Sequence, residues 1–265
     1  MPATGSEAPS VAPAGDEAAA GTVRPGWKRR ALVLAVTASA VVIAAAGVLL
    51  AAAFRHQRPP AAAELRPSGI PPSVSTSLAT LMGLSPVPAR PAPGFTLTDQ
   101  HGLPLALSAF RGKVIVLEFM DPHCTDICPL VSEEFVGAYH DLGPLAGKVV
   151  FAAVNVNQYQ LAVSDVEMFS AEHQLTSIPD WHFFTGRLDS LEAVWRGYNI
   201  EVQPRGPNAD VIHTSSVYFI DPQGRERYLA APMADYTAAG AAYLPAGQLK
   251  AWGRGIAAVA RSLAS

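Results

Sequence analysis

The sequence predicts an α/β domain built on a mixed central sheet flanked by helices, with a single membrane-spanning helix ahead of it. Three observations predict the domain. Lys113-Val-Ile-Val-Leu-Glu-Phe119 is a near-continuous run of β-branched and apolar residues, the pattern of a strand buried on both faces. Segments of helical spacing then alternate with a second such run, Val149 to Val156. A later run, Ser216 to Asp221, leads into the turn signal Asp221-Pro222-Gln223-Gly224, which adds a late hairpin to the sheet.

Taken in order, residues 1–30 are rich in Ala, Pro, Gly and Ser, show neither helical nor strand periodicity, and end in Lys28-Arg29-Arg30. They are expected to form a disordered cytoplasmic tail. Residues 31–54 are 24 uncharged, mostly aliphatic positions, enough for a helix to cross a hydrocarbon core of about 30 Å. A cleavable signal peptide would carry a shorter apolar region, about 7 to 15 residues. Arg24, Lys28, Arg29 and Arg30 before the span outnumber Arg55 and Arg58 after it, so the N-terminus is expected in the cytoplasm and the domain outside the plasma membrane. Residues 55–92, with repeated Pro and Ala, read as a semi-extended linker in which the apolar patch Leu78 to Leu84 is available to dock on the domain.

The domain proper is expected over residues 93–265. Phe95 and Leu97 followed by Asp99-Gln100-His101-Gly102 read as a hairpin. Leu130, Val131, Phe135, Val136 and Tyr139 recur at helical spacing, so a helix is expected from Pro129 to about Leu142. A second spans Ser164 to Leu175 with Ser164-Asp165 as its cap, a third Leu188 to Tyr198, and a last one Ala246 to Leu263, with a strand at Trp181 to Phe184. Strand, helix, strand, helix, then a late hairpin and a terminal helix fits a thioredoxin-like arrangement best.

Composition narrows the function. With 49% hydrophobic residues in 265, the chain can bury one ordinary core and still carry extra segments. From residue 60 onward 13 Lys and Arg stand against 19 Asp and Glu, a balance of −6, which excludes a nucleic-acid surface. Only Cys124 and Cys128 are present, so a disulfide framework of the small secreted type is excluded. The pair is a site, a local disulfide or chance.

His123-Cys124-Thr125-Asp126-Ile127-Cys128-Pro129 lies between the central strand and its following helix, where open α/β sheets commonly place function. Pro129 suits a first helical turn, and a helix start lowers a thiol pKa, which is expected of Cys128. Three intervening residues let two sulfurs meet on one soft cation, and thiolates select Cu(I). A third ligand must come from elsewhere. His213 precedes the run Ser216 to Asp221, which can return beside the central strand, although spacing alone does not bring it there.

At these residues the sequence resembles the Sco/SenC proteins, copper chaperones of cytochrome c oxidase assembly. The resemblance rests on His123-Cys124, Asp126, Cys128-Pro129, Trp181-His-Phe-Phe-Thr-Gly186, and His213 leading into Val217-Tyr-Phe-Ile-Asp-Pro-Gln-Gly224. It implies a membrane-tethered thioredoxin-like domain whose Cys124, Cys128 and His213 bind Cu(I) or Cu(II), for delivery to the dinuclear copper centre of oxidase subunit II or to another copper-receiving protein. Thr125, Asp121-Pro122 and Ile212 depart from the family's usual residues and leave the three ligands in place.

Alternatives come from the same pair. A thiol-disulfide reductase would use Cys124 and Cys128 as its redox couple, normally with two intervening residues and a cis-proline where Ile212-His213-Thr214 has none. A copper or redox sensor would ligate without transfer, changing a protein contact; in a chaperone, oxidation to a Cys124–Cys128 disulfide would switch binding off. His123 is expected beside a ligand rather than as one. Glu118 is expected as a buried, paired carboxylate, and Met120, Trp181, Phe183 and Phe184 as core.

Overall fold

A computed structural model describes residues 68–264. The expected tail (1–30), the expected span (31–54) and the first part of the linker lie outside the described residues. Among the described residues no helix is long and apolar enough to cross a membrane.

The central strand β4 covers Val114–Met120 and is buried at every position. Parallel β5 (Val149–Asn155) lies on one side of it and β6 (Trp181–Phe184) lies beyond β5. On its other side β9 (Val217–Ile220) pairs antiparallel, followed by β10 (Glu226–Ala230) and the two-residue β1 (Ser85–Pro86). The six strands run in the order β1-β10-β9-β4-β5-β6, the mixed sheet expected from the sequence. Asp221 closes the β9–β10 turn, its Oδ1 accepting the backbone N–H groups of Gln223 and Arg225.

Strand alternation sends Val114, Val116 and Met120 into one core and Ile115, Leu117 and Phe119 into the other. The first core is covered by α2 (Ile127–Leu142), α3 (Val163–Glu172) and α5 (Ala246–Leu263). The second is covered by α4 (Leu188–Gly197) and by the hairpin of β2 (Thr96–Thr98) and β3 (Pro104–Ala106).

Three expectations need correction. Helix α2 begins at Ile127, ahead of Pro129, so both Cys128 and the proline lie in its first turn. The cap of α3 is not Ser164: Asp165 Oδ2 accepts the Ala162 N–H at 3.0 Å, and the helix ends at Glu172. The segment read as linker is folded from Ile70 onward. Ile70, Val74, Ala79, Met82 and Leu84 are buried, and α1 (Thr76–Leu81), capped by Ser75 Oγ accepting the Leu78 N–H, packs on α5. Apolar side chains at near-helical spacing outweigh the prolines around them. Small ladders β7 (Val202–Gln203) with β8 (Ile212–His213), and β11 (Asp235–Tyr236) with β12 (Ala242–Tyr243), are too short to leave a periodic signal.

Candidate metal centre

The cysteine loop leaves the carboxyl end of β4 and turns at once. The Cys124 N–H donates to the Asp121 carbonyl at 3.0 Å, and the His123 N–H donates to Asp121 Oδ1 at 2.8 Å. Both cysteines are free; Cys128 is buried and Cys124 is half-buried. The two thiols influence each other's protonation, Cys128 stabilising charge on Cys124. That interaction, with the Asp126 N–H donating to Cys124 Sγ at 3.4 Å, holds the Cys124 thiol below its ordinary range. The same interaction, burial and the negative Cys124 push the Cys128 thiol well up. This reverses the expectation for Cys128: a place in the first helical turn favours the thiolate, but complete burial beside a second sulfur outweighs it.

His213 stands on the short ladder β7–β8, and Asp121 ties that ladder to the cysteine loop. Asp121 is fully buried; its Oδ2 accepts the Val211 N–H at 3.2 Å, and its Oδ1 also accepts Asn157 Nδ2 at 2.8 Å. His213 Nδ1 lies 2.9 Å from the Thr214 carbonyl. A carbonyl only accepts, so the proton sits on Nδ1 and Nε2 keeps its lone pair, the tautomer a metal ligand requires. Burial lowers the imidazole's pKa, which keeps it neutral. Among the described residues no three His, Cys, Asp or Glu side chains are already gathered in ligand geometry. The two free cysteines sit on one loop and helix start, and the imidazole is tied to the same rim one linkage away.

Beneath the site, Glu118 on β4 and Glu134 on α2 are both buried. Ser215 Oγ donates to Glu118 Oε1 at 2.9 Å, and among the described residues neither carboxyl has a cationic partner. Burial pushes Glu118 up to about 8, and burial with the neighbouring Glu118 charge pushes Glu134 up to about 9. The ion pair expected for Glu118 is therefore replaced by a neutral carboxyl. Met120, Trp181, Phe183 and Phe184 are core. His123 is a flank rather than a member of the thiol pair: its Nε2 stands 3.9 Å from Asp165 Oδ1. Asp121, Asn157, the Thr214 carbonyl and Glu134 were not singled out from sequence as parts of a site. For Asp121 a signal existed, a carboxylate directly at the end of the most apolar strand.

The sequence model of the SCO1/SenC family matches residues 86–241. A SCO1 protein homolog of Bacillus subtilis is 26% identical over 133 residues, covering 49% of this chain and 68% of its own. The mitochondrial SCO2 homolog of Bos taurus is 26% identical over 138 residues, 49% of this chain, which spans about half (50%) of that protein's length. Among solved structures, that of Bradyrhizobium japonicum ScoI with copper bound is similar with a TM-score of 0.51 at 19% identity, over 66% of this chain and 99% of that one, a likeness of fold.

Proposed function

We propose, from the fact that this chain belongs to the SCO1/SenC family, that it is a copper metallochaperone that holds one copper ion through Cys124, Cys128 and His213. The cargo passes to the dinuclear copper centre of cytochrome c oxidase or to another copper-receiving protein. Residues 31–54 tether the domain to the outer side of the plasma membrane, with the N-terminus in the cytoplasm.

One observation carries the reading: two free cysteines, four residues apart at the end of the central strand, share a rim with an imidazole whose free nitrogen is Nε2. Copper suits this donor set, since thiolates and imidazole are soft or borderline ligands, and closed zinc sites usually demand four. Loading releases the thiol protons. Cys124 gives up its proton easily, whereas Cys128 does so only when the cation arrives to replace it, so the pair binds copper without standing open as a dithiolate. Transfer follows by ligand exchange with a partner's cysteines, beginning at the more accessible Cys124.

The depressed thiol of Cys124 also favours a second reading, a thiol-disulfide reductase with Cys124 as nucleophile. One experiment separates the two. The reduced chain is loaded anaerobically with Cu(I), and copper retained per chain is compared with Cys124→Ser, Cys128→Ser and His213→Ala. Tight retention weakened by all three changes is expected. No retained copper, with turnover of a disulfide substrate, leaves the reductase.

A further inference from the structure

Next to Cys124, on a lining that includes neither Cys128 nor His213, lies a surface cavity of about 330 Å³. One wall is the loop carrying His123 and Cys124, and the other is a single face of α3. Asp165, Met168, Phe169, Glu172 and His173 recur at three- and four-residue spacing and line it together. Phe169 is the buried member and forms the floor.

The donors above that floor are soft or borderline. Met168 is 60% exposed, an unusual place for a thioether whose commoner use is to fill a core, as Met82 and Met120 do in this chain. His123 has its side chain 45% exposed and faces Asp165 Oδ1 at 3.9 Å. Asp165 is itself fixed, because its Oδ2 accepts the Ala162 N–H at the helix start. A carboxylate so placed orients an imidazole and strengthens it as a ligand. His173 closes α3, with its ring 4.3 Å from that of Phe169. Asp165 and Glu172 supply negative charge, and among the described residues no Lys or Arg lines the cavity.

We infer that His123, Met168 and His173 form a second, weaker site for Cu(I), at which the ion lands beside Cys124 before entering, or after leaving, the cysteine pair. That the cargo is copper rests on the reading above; the donor set itself selects a soft cation. The site is weaker for a geometric reason. Its two histidines are not already gathered with a third His, Cys, Asp or Glu among the described residues, so exposed side chains such as Met168 must turn inward to meet the ion and lose rotamer freedom in doing so.

The test uses the full chain with ¹³C-methyl methionine, titrated anaerobically with Ag(I), a closed-shell stand-in for Cu(I), and in parallel with Cu(I). A second equivalent that moves the Met168 methyl signal and leaves Met82 and Met120 still is expected. Met168→Leu should weaken that second equivalent at least about tenfold and spare the first. Cys128→Ser should weaken the first and spare the second, so failure of the cysteine site and failure of this one are read separately. A Met168 signal unmoved through two equivalents overturns the inference, as does a second equivalent unchanged in the Met168→Leu, His173→Gln double variant.

Discussion

The backbone N–H of Val211 donates to the carboxylate of Asp121 at 3.2 Å across a separation of 90 residues, and this bond links the cysteine loop to the segment carrying His213. The same carboxylate serves the His123 N–H and Asn157 Nδ2. Asp121→Ala leaves three donors without their acceptor, at about 1–3 kcal/mol for each that stays buried. A loss of ~3 kcal/mol is expected, a fall in melting temperature of roughly 10 °C for a domain of this size. Copper affinity, read by competition with a Cu(I) chelator, should fall as well, although Asp121 is not among the proposed ligands. Undiminished affinity in a folded Asp121→Ala chain would show that the linkage does not position the histidine.

The two thiols should differ in reactivity. Cys124 is half-buried with a depressed pKa and Cys128 is buried with a raised one, so iodoacetamide at neutral pH should modify Cys124 first. Cys128→Ala removes the neighbouring thiol that stabilises the Cys124 thiolate and should slow that modification. Peptide mapping after brief alkylation checks the order; prior modification of Cys128 contradicts the assigned geometry.

Stability should fall as pH rises from about 4.5 to about 9. In the unfolded chain Glu118 and Glu134 ionise near the ordinary carboxylate value of about 4.3. Folded, they hold their protons up to about 8 and about 9. Below the unfolded value both states are protonated and the two groups add no pH dependence. Across the window the unfolded state sheds protons that the native state keeps, so unfolding becomes easier with each step upward. Glu134→Leu removes one of the two contributions. Its loss of stability between pH 5 and pH 8.5 should be smaller than that of the unchanged chain by ~2 kcal/mol or more. Parallel pH profiles from denaturant unfolding would refute the account.

Two glycines in packed helices should respond to alanine with opposite signs. A Cβ at Gly253 on α5 would stand 3.2 Å from the Ala138 nitrogen and the Glu134 carbonyl oxygen, backbone atoms that yield only if the helices separate. That cost of about 1–3 kcal/mol exceeds the helix-propensity gain of about 1 kcal/mol, so Gly253→Ala should destabilise. A Cβ at Gly137 on α2 meets nothing within 4 Å, and Gly137→Ala should stabilise by up to ~1 kcal/mol. Chemical denaturation of the two variants decides it.

What the sequence made legible follows from how local each signal is. The run Val114 to Phe119 announced a doubly buried strand because every residue in it is apolar except Glu118, and α5 was placed at its observed ends, Ala246–Leu263. The cysteine pair and its place after the strand were legible for the same reason. The role of Asp121 was not, since its partners lie 36 and 90 residues away and only tertiary folding brings them to it. The thiol order was misjudged because helix position is visible in sequence and burial is not. The docking of Leu78 to Leu84 was legible from its apolar residues, whereas the burial of Ile70 and Val74 was obscured by the neighbouring prolines, which suit a spacer and also suit a segment laid across a domain.

The sheet order sets an interval of risk during synthesis. Strand β4 has one neighbour, β5, that follows it within thirty-odd residues, and another, β9, that begins only at Val217. Until β9 has been made, the most apolar strand of the protein has an unpaired edge, the kind of template on which chains aggregate. Both sulfurs are already present through most of that interval, whereas the Val211 amide and the histidine are added only at its end. A chain interrupted before residue 211 would therefore carry an adhesive edge and an oxidisable dithiol together, so early termination should yield insoluble, cross-linked material rather than a smaller folded protein.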